Sequence, residues 1–224
     1  MKHRETSSPL AHRVREILEA TPEAAARGQS FLERITRFAA TLQVWGARTN
    51  LTARPDDPAE IAFHVIDSLA PLFVTPSLDF FKPQSRALDL GSGAGFPGLI
   101  LAAATDAEFT LIEARRKRAS FLSAAATEMG LANVQVVCRR VTPETVATEF
   151  DVLTSRAVGE PSLEIAGKAL RPGGVVILWI TPEQQVDSSL CGAAGLGEPT
   201  RHEYSVKRGT GAVRRSLIIF QKPF

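Results

Sequence analysis

The sequence predicts an α/β protein, a Rossmann-like doubly wound sheet that is mostly parallel, preceded by a helical N-terminal subdomain. Three observations predict it. Apolar residues recur at helical spacing over 10–73, with no convincing strand among them. From position 86 onward, short apolar runs alternate with helical segments, the order that builds a parallel sheet covered on both faces. A glycine-rich turn falls where the first of those runs hands over to its helix.

In the helical part, Phe31, Ile35, Phe38, Ala39 and Leu42 mark one apolar face. A proline-containing loop over 75–84 then separates two expected units, 1–75 and 76–224. Strands are expected over 86–90, 109–113, 134–138, 151–155 and 175–180, with helices over 97–104, 117–129 and 161–170. The runs 201–205 and 213–221, divided by a glycine-containing turn, read as an antiparallel pair at one edge of the sheet. The stretch 191–199 reads as a small-residue loop.

At 224 residues, 44% hydrophobic and 22% charged, the composition is that of a globular protein with room for one catalytic domain. The 26 Lys and Arg against 24 Asp and Glu leave a net charge of +2, too small to identify a nucleic-acid binder by itself. No run approaches the roughly 18 apolar residues of a membrane span, and none follows the basic residues of the N-terminus. A soluble, cytoplasmic protein without a membrane partner is expected. Cys138 and Cys191, with four scattered histidines, offer neither a disulfide framework nor a metal-ligand spacing, so no metal is expected.

The most informative stretch runs from Leu88 through Asp89 and Leu90 to Gly91-Ser92-Gly93-Ala94-Gly95-Phe96-Pro97-Gly98. Gly91, Gly93 and Gly95 can take positive φ and let a ligand approach the backbone. Glu113, at the end of the second strand, stands where a carboxylate can accept from both hydroxyls of a ribose. Gly93 to Gly98 also fits the dinucleotide pattern, and Glu113 has the spacing of its ribose-binding acid. Asp89 inside the strand, and Pro97 removing an amide that a pyrophosphate would use, favour S-adenosylmethionine over a nicotinamide or flavin cofactor.

Beyond this turn the chain resembles a known family, the bacterial small-subunit (16S) ribosomal RNA guanine-N7 methyltransferases, also called glucose-inhibited division protein B. The resemblance rests on Thr49-Asn50-Leu51-Thr52-Ala53, His64 to Leu69, Leu88 to Gly98, Phe109 to Glu113, Lys117-Arg118 with Phe121-Leu122, and Ser155-Arg156-Ala157. It implies a class I S-adenosylmethionine-dependent methyltransferase fold, with S-adenosylhomocysteine as the product of the cofactor. It also implies cofactor contacts at Gly91, Phe96, Val141, Thr142 and Arg156, to which the residues themselves add Gly93, Gly95 and Glu113. The implied partner is 16S ribosomal RNA in the small ribosomal subunit, met by a monomer. Two positions depart from the family pattern: Thr142, where an acid is frequent, and Ile180, where a lysine is frequent. The same enzyme class acting on a small molecule or a protein remains the alternative, with a dinucleotide-binding oxidoreductase behind it.

Attack by N7 of a neutral guanine uses a free lone pair and needs no general base, so the catalytic set is expected to be short. Arg156, beyond the fourth strand, is the expected catalytic residue, able to orient the cofactor, the guanine O6 or a phosphate. His64, Asp67 and Ser68 crowd one helical turn and do not suit a nucleophile relay. His64 and Asp67 are expected to join the helical part to the sheet, with Asn50 shaping a loop near the cofactor. The cations Arg115 to Arg118 and Arg139-Arg140, and six Lys or Arg from Arg201 onward against the single acid Glu203, are expected to form a phosphate-binding rim.

Overall fold

In the computed structural model, residues 8–156 and 160–224 are described. The first helix, α1 (Pro9–Glu19), starts behind Ser8, whose Oγ accepts from the Ala11 amide at 3.2 Å. After α2 (Pro22–Ala25) comes α3 (Gly28–Gly46), whose predicted apolar face is buried from Phe31 to Leu42. Asp57 caps α4 (Pro58–Ser68) by accepting from the amides of Ala59 and Glu60, and α5 (Ala70–Val74) completes the helical part. Eight of the 11 residues of α4 are buried, among them the charged Glu60 and Asp67.

The sheet that follows has seven strands in the order β3-β2-β1-β4-β5-β7-β6. β1 (Arg86–Leu90), β2 (Glu108–Ile112), β3 (Val134–Val137), β4 (Phe150–Ser155) and β5 (Leu170–Ile180) run parallel. β6 (Thr200–Arg208) and β7 (Gly211–Gln221) form the expected antiparallel pair, with β7 paired on its other side to β5. The crossover helices are α6 (Gly98–Ala104), α7 (Arg116–Met129) and α8 (Glu160–Ala169). Two details differ from the sequence reading. β5 begins at Leu170, because the chain pairs with β4 before the Arg171-to-Gly174 irregularity as well as after it. The small-residue stretch begins inside a short helix, α9 (Ser188–Ala193).

Alternation along the strands sorts the core into two layers. Ala87, Val152, Ile177, Trp179, Leu217 and Ile219 face a cluster shared with α1, α3, α4, α6 and α7. Leu88, Leu153, Val176, Leu178, Ile218 and Phe220 face the cluster that α8 and α9 cover. The helical cap and two of the crossover helices therefore share one continuous core. Ile180, at a position where the resemblance led to a lysine, is buried in the second layer.

Gly98 sets how closely α6 lies on the sheet. A Cβ at Gly98 would meet the Leu111 side chain and come within 2.6 Å of Asp89 Oδ2. Gly98→Ala is expected to destabilise the protein by about 1–3 kcal/mol, the usual cost of overpacking. Chemical denaturation would reveal this as a lower midpoint at unchanged slope.

Candidate active site

Four parallel strands release the chain at one edge, and each predicted site residue follows one of them. Gly91, Gly93, Gly95 and Phe96 follow β1, Glu113 follows β2, Val141 and Thr142 lie in the loop after β3, and Arg156 follows β4. β1 lies between β2 and β4, and the chain leaves β1 and β4 toward opposite layers. This is the switch point at which open α/β sheets take ligands.

The turn after β1 is shaped by three glycines at φ +73°, +52° and +87°. The amides of Gly91 and Ser92 both donate to Ile112 O, at 2.9 and 3.1 Å, and tie the turn to the end of β2. At Gly95 a Cβ would also come within 2.6 Å of Leu99 Cδ1. Glu113 is buried beside this turn. Its Oε2 accepts from the Gly93 amide at 3.1 Å and its Oε1 from the Arg115 amide at 2.8 Å. A carboxylate has about four acceptor positions, so two remain for a pair of hydroxyls. Under the turn lies Asp89, paired in register with Thr154, whose hydroxyl donates to Asp89 Oδ1 at 2.8 Å. Burial raises the Asp89 carboxyl above its ordinary range, while hydrogen bonds from Ser92 and Thr154 oppose the rise. Its Oδ2 is buried without a hydrogen-bond partner among the described residues.

The loop after β3 is divided. Val141 is buried in the second core layer, whereas Thr142 is exposed and its amide donates to Thr145 Oγ1 at 2.9 Å.

Arg156 turns toward the helical cap rather than into solvent. Its Nη2 donates to Ser68 Oγ at 2.7 Å and to His64 O at 3.2 Å, and lies 3.3 Å from Asp67 Oδ2. Its Nη1 is 3.4 Å from His64 Nδ1, and its Nε is buried without a partner among the described residues. The guanidinium lies over the rings of Phe96, at 5.7 Å, and Trp179, at 5.9 Å. Burial works against its charge and Asp67 supports it. Ala157, the last residue of that motif, lies outside the described residues.

His64 and Asp67 form the expected junction, and Ser68 joins them through Arg156. Asp67 is fully buried, with Oδ1 accepting from Tyr204 Oη at 2.6 Å and Arg215 Nε at 3.2 Å, and its backbone carbonyl accepting from Trp179 Nε1 at 2.7 Å. Burial and the adjacent Asp67 carboxylate push the Tyr204 hydroxyl well above its ordinary pKa, so it stays a donor. Glu60 takes a two-pronged pair of bonds from Arg208, both 2.7 Å, and lies 3.3 Å from His64 Nε2. The His64 ring packs at 5.1 Å on Phe96, which Phe38 meets edge-on at 5.3 Å. The glycine turn is thereby gripped by α3 and α4. Sequence reasoning missed Trp179 and Tyr204 and gave Arg215 another role, although strand alternation places all three on the face that meets the cap.

Burial and Arg156 lower the His64 pKa from 6.5 to about 4, against the opposing pull of Glu60 and Asp67. The unfolded chain then protonates this ring near pH 6.5 and the folded protein only near pH 4, so stability from the neutral ring is present above 6.5 and lost as pH falls toward 4. The expected loss is about 3 kcal/mol over that window. Thermal melts of His64→Gln should lack this part of the pH dependence.

The expected basic rim is corrected in part. Arg208 and Arg215 turn inward onto Glu60 and Asp67, Arg201 and Lys222 donate to backbone carbonyls, and Arg214 pairs with Glu203. Arg201, Arg208, Arg215 and Lys222 fasten the β6–β7 pair to the rest of the protein, because acids of α4 and backbone carbonyls claim them first, while the Arg214 pair lies on the exposed face within it. In contrast, Arg115, Arg116, Lys117, Arg139 and Arg140 are exposed, with no side-chain partner among the described residues. No acid occupies the first turn of α7, where cations oppose the helix dipole. Arg118 Nη2 donates to Asn50 O at 2.9 Å, linking the cap loop to this cluster.

Two other concavities, of about 510 and 490 Å³, lie at the amino ends of β1 to β3 and between α1, α4 and the β6–β7 turn. Neither gathers the glycine turn and the acid after β2, which is the chemistry a nucleoside needs. No cluster of three metal-ligating side chains occurs among the described residues, and no helix there is long and apolar enough to cross a membrane.

A seven-stranded sheet of this order, with a glycine turn after β1 and a hydrogen-bonded acid after β2, defines a class I S-adenosylmethionine-dependent methyltransferase. The cofactor fits the residues present: Glu113 keeps acceptor positions for a ribose, and the turn leaves its backbone open to a close approach at Gly91 and Gly93, where an added Cβ would meet nothing nearer than 3.6 Å. The profile of the family described as rRNA small subunit methyltransferase G matches residues 31–190, and the chain belongs to this family. The ribosomal RNA small subunit methyltransferase G of Methylobacillus flagellatus is 32% identical over 195 residues, covering 86% of this chain and 90% of the relative. That of Wolinella succinogenes is 42% identical over 128 residues, 57% of this chain and 62% of the relative. Among solved structures, M. jannaschii TYW2 in complex with AdoMet aligns with a TM-score of 0.51 at 13% identity, covering 67% of this chain and 74% of that one, a likeness of fold alone.

Proposed function

We propose that the protein transfers a methyl group from S-adenosylmethionine to N7 of a guanine in 16S ribosomal RNA of the small ribosomal subunit. The observation that carries this reading is the family match spanning the glycine turn, Glu113 and Arg156. Glu113 would hold the ribose, Gly91, Gly93, Gly95 and Phe96 would shape the turn against the cofactor, and Val141 and Thr142 would border the adenine. When bound, the cofactor supplies an electrophilic methyl on a sulfonium.

The side chains of the site suit an acceptor that arrives with its lone pair free. Glu60 is committed to Arg208, Asp67 to Tyr204 and two arginines, and Glu113 to two backbone amides. None of these three carboxylates is free to take a proton from the acceptor, Asp89 lies buried beneath the turn, and N7 of guanine requires no proton to be taken. Arg156 offers the unpaired Nε–H and its charge to an acceptor atom on the base, a phosphate or the cofactor.

The exposed cations at the start of α7 and at 139–140 would meet RNA phosphates at the same edge. Residues 1–75 serve as a cap and 76–224 as the catalytic unit, acting as a monomer in the cytoplasm. The test is mass mapping of 16S RNA after incubating small ribosomal subunits with the protein and S-adenosylmethionine. A single added 14-Da methyl group on a guanine, confirmed at N7 by strand cleavage after reduction and aniline, is expected. An unmodified RNA in the presence of folded protein would refute the reading.

A further inference from the structure

A long arginine at the end of a strand is free to sample many rotamers unless something holds it. Here the holding is done by a helix more than 85 residues earlier in the chain. Arg156 Nη2 is shared by Ser68 Oγ at 2.7 Å, His64 O at 3.2 Å and Asp67 Oδ2 at 3.3 Å, all on α4. Asp67 is itself held by Tyr204 and Arg215, and Ser68 by its own 2.6 Å bond to His64 O. The guanidinium is thus fixed over Phe96 of the glycine turn.

An unused donor argues that this is more than a structural tie. Asp67 pairs with both Arg156 and Arg215, Asp89 adds its attraction to Arg156, and the Arg156 Nε–H remains buried and unpartnered. Folding alone disfavours a buried donor that makes no bond. Local costs of this kind are expected where a site is kept ready for a ligand.

We propose that Asp67 and Ser68 are positioning residues: through them α4 fixes the Arg156 guanidinium over the glycine turn, and docking of the cap completes the methyl-transfer site. The proposal rests on the reading that Arg156 serves methyl transfer, and it predicts that the α4 side chains act through that arginine.

The experiment is a double-mutant cycle in the full-length protein, read by single-turnover transfer of labelled methyl from S-adenosylmethionine to small ribosomal subunits. Ser68→Ala, which leaves every charge in place, is expected to slow transfer about tenfold, the size of a lost hydrogen bond to a charged group. In an Arg156→Ala background the same change is expected to have less than about a twofold effect, since coupled residues are non-additive. Asp67→Asn should show the same dependence, with thermal melting confirming that it folds. A second readout needs no substrate: in a Trp45→Phe protein, emission comes from Trp179 alone, and Ser68→Ala should shift it in the direction that Arg156→Ala does. Equal fractional losses in both backgrounds, wild-type turnover in Ser68→Ala, or an unmoved Trp179 emission in that variant would each overturn the proposal. If the unaltered enzyme does not methylate the subunit, the substrate reading fails, and the emission of Trp179 still decides whether Ser68 positions Arg156.

Discussion

Replacing Arg156 with alanine is expected to lower methyl transfer by about 100- to 1,000-fold, the range seen when one preorganised electrostatic donor is removed from an active site. The fold should survive. Asp67 would keep its bonds from Tyr204 and Arg215, so it would not be left as a bare buried charge. A fall in Tm of no more than about 5 °C follows for a chain of this size if the cost is near 1 kcal/mol. Arg156→Lys should recover only part of the rate, because an ammonium keeps the charge but cannot reach Ser68 while presenting a second N–H elsewhere. Single-turnover kinetics beside a thermal melt separates the two effects, and near-normal turnover in Arg156→Ala would remove this residue from the site.

Glu113→Ala is expected to weaken binding of S-adenosylhomocysteine by about 100-fold or more. Two hydrogen bonds to a charged carboxylate would be lost, each worth roughly 1.5–3 kcal/mol. The same change would leave the Gly93 and Arg115 amides without their acceptor, loosening the turn that shapes the pocket. Calorimetry with S-adenosylhomocysteine checks this directly. Glu113→Gln should lose less, since an amide oxygen can still accept from one hydroxyl or one backbone amide. An unchanged affinity in Glu113→Ala would show that the ribose is held elsewhere.

Much of the architecture was legible because its signals are local. Short apolar runs and the glycine turn are each set within a few positions, and the five parallel strands and the edge pair lie where those signals place them. The turn was also legible in detail, since positive φ at Gly91, Gly93 and Gly95 is a requirement of the backbone itself. What escaped was the pairing of distant charges. Arg208 and Arg215 read as surface cations because their partners, Glu60 and Asp67, lie about 150 positions earlier on a helix whose rotation against the sheet no short pattern reveals. Alternation did carry a usable hint: Trp179, Tyr204 and Arg215 share the face on which Asp89, Thr154 and Arg156 emerge. The helix α9 was missed for another reason, since its serine, glycine and alanine content is as common in loops as in short helices.

The placement of β7 has a consequence for how the protein matures. This strand is inserted between β5 and β6, and it delivers Arg215 to the carboxylate that also holds Arg156. On a ribosome making the chain from its N-terminus, the cap helices and the glycine turn emerge long before β7 does. Until that strand slots home, Asp67 lacks one of the donors that hold its carboxylate, although α4 already offers Arg156 the Ser68 hydroxyl and the His64 carbonyl. The bonds that Asp67 receives from Tyr204 and Arg215 thus come from strands synthesised after all the parallel ones, and a nascent chain stalled short of them would hold Arg156 by α4 alone.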